Sequence, residues 1–93
     1  MNNEEASQLL QVYLDGYRRR SYEELVALLD QPQNAEIRGT SGVDYYIQAQ
    51  VFWYRHPGED VRVLASINDG GWRAFVPLTD DFIMAPPGRF VGE

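Results

Sequence analysis

The spacing of apolar positions changes once along this chain, near Pro32. Before it, Leu9, Leu10, Tyr13, Leu14 and Tyr17 recur three and four residues apart, as one face of a helix does. They predict an amphipathic helix from about Asn3 to Arg19. Ser21-Tyr22-Glu23-Glu24 then has the form of a capping box, in which serine and the glutamate three residues on satisfy each other's backbone donors. Leu25, Val26, Leu28 and Leu29 continue as a second apolar face, and Pro32 ends it. Two helices meeting near Arg20-Ser21 are expected, with one long bent helix as the alternative.

From Ala35 onward the period is two, the spacing of strands. Ala35 to Arg38 reads as a short strand and Thr40-Ser41-Gly42 as a turn. Asp44 to Arg55 is the longest strand. One of its faces carries Tyr45, Ile47, Ala49, Val51 and Trp53. The other carries Tyr46, Gln48, Gln50, Phe52 and Tyr54. The first face is apolar and the second mixed, so both are expected to be partly covered. His56 to Asp60 is a turn by composition. Val61 to Ile67 is a third strand, and Asn68-Asp69-Gly70-Gly71 suits a tight hairpin. Trp72 to Val76 is expected as the fourth strand, leaving at Pro77. Phe82-Ile83-Met84 and Phe90-Val91, around Pro86-Pro87-Gly88, read as a last small hairpin. Short connections favour sequential antiparallel pairing. The expected class is α+β: one or two N-terminal helices packed on a curled antiparallel meander of four to five strands. Residues 1–93 form a single domain in this reading, helical over 1–31 and sheet over 34–93.

Composition narrows the chemistry. The 93 residues carry no cysteine, a single histidine, and 8 positive charges against 14 carboxylates, for a net charge of −6. All the positive charges are arginines. Thiolate metal sites, cysteine nucleophiles, Schiff-base lysines, the phosphate-loop lysine and multi-histidine metal sites are thereby excluded. No metal and no cofactor is expected. The acidic balance argues against nucleic acid, and Arg18-Arg19-Arg20 is offset by Asp15, Glu23 and Glu24. No run reaches the roughly 18 to 20 apolar residues of a membrane helix. Met1 to Gln8 lacks the features of a signal peptide, so the cytoplasm is the expected location.

Four groups of residues carry candidate chemistry. His56 has the one side chain with an ordinary pKa near neutrality, but its Pro-Gly neighbours favour a solvated turn. Asp80-Asp81 can hold a cation or share a proton, yet strand neighbours point to opposite faces, and Thr79-Asp80-Asp81 suits a turn or cap. Asn68 to Arg73 pairs glycines with Trp72 and Arg73 as recognition groups, and the same letters make a hairpin. The second face of the long strand, Tyr46, Gln48, Gln50, Phe52 and Tyr54, is read as core, as an association surface or as a ligand cup. No serine sits in a nucleophile elbow, and no catalytic residue is assigned.

Two resemblances add context. The helical opening Tyr17 to Leu29 before a curled sheet resembles the start of the nuclear-transport-factor-like and cystatin-like α+β folds in layout. The run from Ile67 through Asn68-Asp69-Gly70-Gly71-Trp72-Arg73-Ala74-Phe75 to Pro77-Leu78-Thr79-Asp80-Asp81-Phe82-Ile83, with the ending Pro87-Gly88-Arg89-Phe90-Val91-Gly92-Glu93, resembles a group of short uncharacterised bacterial domains. It implies a small bacterial cytoplasmic protein and supplies no active site. The reading favoured is a small non-enzymatic protein-interaction module, a homodimer or a binder of a protein partner. Its alternatives are a small-ligand cup between helix and sheet, and a hydrolase-type enzyme using Asp69, Asp80, Asp81 or His56.

Overall fold

In the computed structural model, which describes residues 2–71 and 76–92, the change of period at Pro32 marks the passage from helix to sheet. Helix α1 spans Asn3–Arg18. Its first turn is closed by Asn2, whose Oδ1 accepts the Glu5 N–H at 3.1 Å, with Glu4 and Glu5 placed favourably at the positive end of the dipole. Helix α2 spans Tyr22–Val26 and begins with the capping box expected at Ser21. The Glu24 N–H donates to Ser21 Oγ and the Ser21 N–H to Glu24 Oε1, each at 3.1 Å. The described residues before Pro32 therefore form two helices, the second ending sooner than its apolar run. The remaining apolar residues continue as turns, and Leu29 bridges to Val51.

Among the described residues five strands follow: β1 (Gln33–Arg38), β2 (Asp44–Trp53), β3 (Val61–Asn68), β4 (Leu78–Ala85) and β5 (Arg89–Phe90). They pair in chain order and antiparallel throughout. The fold is thus α+β, an open antiparallel meander with helices on one face. Alternation decides which face. Tyr45, Ile47, Ala49 and Val51 of β2, Val61, Val63, Ala65 and Ile67 of β3, and Phe82 and Met84 of β4 are buried with Leu10, Leu14, Tyr17 and Leu25 in one cluster. Helix α1 lies over β3 and β4, while α2 touches β2 and β3.

Strand β4 differs from expectation. Strand β3 does end at Asn68, but the strand paired with it is Leu78–Ala85. Thr79-Asp80-Asp81, which composition favours as a turn, lies inside that strand. Phe82 and Met84 opposite Val63 and Val61 supply the apolar surface that the core side of β3 needs. Asp80 is tolerated on the helix side because the Gln11 side-chain amide donates to its Oδ2. The expected strand Trp72–Val76 falls mostly outside the described residues.

The helix is tied to the sheet at both ends. Near its start, the Glu5 carboxylate accepts from Ser41 Oγ at 2.6 Å, Tyr45 Oη at 2.8 Å, and the Thr40 hydroxyl and Ser41 N–H at 3.1 Å each. Gly39 makes room for it: a Cβ there would lie 2.3 Å from Glu5 Oε1. Near its end, the Arg18 guanidinium sits 4.8 Å from the Phe82 ring centre and 5.3 Å from that of Phe90. No described helix is long and apolar enough to cross a membrane.

Candidate functional site

The face of the sheet away from the helices is the candidate site. Among the described residues no helix packs against it, and register orders its side chains into four cross-strand rows beyond an outermost Arg38–Asp44 ion pair at 2.8 Å. Glu36, Tyr46 and Asn68 form the first; Asn34, Gln48, Ser66 and Thr79 the second; Gln50, Leu64 and Asp81 the third; Phe52, Arg62 and Ile83 the fourth. The first two rows are polar apart from the tyrosine ring. The last two place Phe52, Leu64 and Ile83 around an ion pair.

Among the described residues that pair is the one ion pair on the apolar half. Arg62 Nε donates to Asp81 Oδ2 at 2.7 Å, with both side chains about a third exposed, at 34% and 35%. The guanidinium also lies 5.6 Å from the Phe52 ring centre. Phe52, Leu64 and Ile83 are all half-buried. Tyr54 lies just past the strand, half-buried, with the Arg55 guanidinium 5.1 Å from its ring.

The polar half holds a depression of about 570 Å³. Among the described residues Asn34, Glu36, Tyr46, Gln48, Ser66, Asn68 and Pro77 line it, with Ala35 and Ile47. A smaller hollow of about 300 Å³ joins Gln50 and Phe52 to the Asp30-Gln31-Pro32 turn. On the helix side, a groove of about 620 Å³ runs between α1 and β1, walled by Leu9, Val12, Tyr13, Tyr17 and Ile37.

The structure places the expected site residues in three groups. Tyr46, Gln48, Gln50 and Phe52 share the open face, with Tyr46 and Gln48 on its polar half and Phe52 on its apolar half. Tyr54 stands beyond the strand end. Trp72 and Arg73 lie outside the described residues. A cup between helix and sheet would need other walls, because Gln48 and Gln50 point away from the helices and the intervening space holds the packed cluster.

The four candidates for acid–base chemistry do not meet. Asp80 faces the helices and Asp81 the open side. His56 precedes β3 and Asp69 follows it, separated by roughly 23 Å of strand. The described residues contain no group of three or more side chains suited to a metal ion. Asn34, Ser66 and Leu64 were not singled out by sequence, and Asn68 was read only with the glycine stretch that follows it. Ser66 and Asn68 alternate with core residues along β3, and only the register puts them beside Gln48 and Tyr46.

Comparison with protein-family models, curated proteins and solved structures finds no match to this chain.

Proposed function

We propose that this protein is a small cytoplasmic interaction module, with no catalysis of its own, that pairs with a second copy through the apolar half of the open sheet face. The observation that carries the reading is the clustering of Phe52, Leu64 and Ile83 around the Arg62–Asp81 pair on a face that the helices leave uncovered. Aromatic residues and arginine are enriched in interface cores, where isolated charges are depleted. Arg62 meets that constraint because its charge is already matched by Asp81.

The same feature favours a second copy over an unrelated partner. The molecule carries a net charge of −6, so two copies repel at long range, yet this patch holds one positive and one negative group. Across a two-fold axis, Arg62 of one copy can meet Asp81 of the other, so the patch complements itself as an isologous interface must.

Charge-swapped variants test this. Arg62→Asp and Asp81→Arg should each be monomeric, because each places like charges opposite one another. Mixed, they should form a heterodimer in native mass spectrometry. A mixture that stays monomeric while the wild type dimerises would place the contact elsewhere, and a monomeric wild type would end the proposal.

A further inference from the structure

We infer that the polar half of the open face binds a neutral, polyhydroxylated small molecule of the size of a mono- or disaccharide. The inference is independent of self-association, since it concerns the other two rows of the sheet.

Three observations converge on this ligand class. The first is size: a depression of about 570 Å³ falls within the roughly 300–1,000 Å³ of small-molecule sites. The second is unused hydrogen-bonding capacity. The side chains of Asn34, Gln48 and Ser66, neighbours in one cross-strand row, bond to no protein group among the described residues, and Gln48 and Ser66 are half-buried. Asn68 Oδ1 accepts the Gly70 N–H at 2.8 Å, which leaves its amide hydrogens to donate. Amides and hydroxyls both donate and accept, as sugar hydroxyls do. An apolar partner would leave these groups unsatisfied.

The third is the Tyr46 ring, which borders the depression and is 43% exposed. Its edge is closely approached by the backbone of Gly70: a Cβ there would lie 3.2 Å from Tyr46 Cε2, and the φ of +86° favours glycine. An exposed ring held beside a row of amides offers the flat apolar surface on which a sugar ring stacks. Charge sets the remaining boundary. The one charged group among the described lining residues is the Glu36 carboxylate, which disfavours anions and accepts from hydroxyls.

The experiment is an amide-resolved NMR titration of the whole protein with maltose, cellobiose and diacetylchitobiose through the millimolar range, with glucuronate as the anionic control. At least one neutral disaccharide should give saturable shifts centred on Tyr46, Gln48, Ser66 and Asn68. The Gln48→Ala/Ser66→Ala variant should bind it about tenfold or more weakly. Tyr46→Ala should abolish binding while the rest of its spectrum shows an intact fold, and Val12→Ala, at an exposed position of α1 on the other side of the sheet, should bind as the wild type does. The inference is overturned if no neutral disaccharide gives saturable shifts, if the shifts centre elsewhere, or if glucuronate binds more tightly than the neutral sugars.

Discussion

At the scale of single residues, the fold depends on a carboxylate whose importance spacing does not reveal. Glu5 stands in the first turn of α1, where a glutamate suits the dipole anyway, and nothing in its neighbours points to Gly39, Ser41 and Tyr45. Hydrogen bonds from Ser41 first, then Tyr45, hold its pKa below the usual 4.5. A carboxyl depressed in the folded state contributes stability above its unfolded-state pKa and loses it as pH falls through the folded-state value. Urea unfolding should therefore show the wild type weakening on acidification below about 4.5, and Glu5→Gln should flatten that dependence while lowering stability at neutral pH. An unchanged acid profile would show that the clamp contributes nothing. The Tyr45 phenol behaves oppositely: burial and then the Glu5 carboxylate push its pKa up to about 12, so its contribution is lost in the alkaline range. Gly39 gives a coupled test. Gly39→Ala should lower the urea midpoint because its methyl displaces the Glu5 carboxylate from four donors. In a Glu5→Ala background the same change should do little, whereas additive effects would separate the two residues.

At the scale of elements, periodicity was legible where one face meets the core and the other meets water. Helix α1, the capping box at Ser21 and the two faces of β2 all follow from it. Only the second half of strand β4, Phe82-Ile83-Met84 in the hairpin to Phe90, was legible; its first half was not, because Thr79-Asp80-Asp81 has turn composition and its tolerance inside a strand depends on Gln11 and Arg62, far away in sequence. The helix itself shows how finely the stripe is drawn. Leu14 is 1% exposed and Val12 is 70% exposed. Leu14→Ala should cost about 2–5 kcal/mol through lost burial and the cavity it leaves, and Val12→Ala should change stability by less than about 0.5 kcal/mol. Chemical denaturation measures both. Equal effects would mean that α1 does not bury the face described.

At the scale of the molecule, one sheet serves two surfaces. Its helix side is a packed core, and its open side divides into a polar half and an apolar half. Sequence identified the second face of β2 as the region of interest, but one strand cannot show that division. It arises when β1, β3 and β4 add Asn34, Ser66, Leu64 and Ile83 in register. The absence of lysine and cysteine removes several catalytic routes, and the sheet does not bring His56, Asp69, Asp80 and Asp81 together. The central claim is that the apolar half of this face joins two copies. Light scattering on the wild type, Phe52→Glu and Val12→Glu tests it most directly, because Val12 walls the other apolar groove. The account predicts about twice 10.7 kDa for the wild type and for Val12→Glu, and a folded monomer for Phe52→Glu. A monomeric wild type would contradict it, as would a dimer that survives Phe52→Glu and is lost in Val12→Glu.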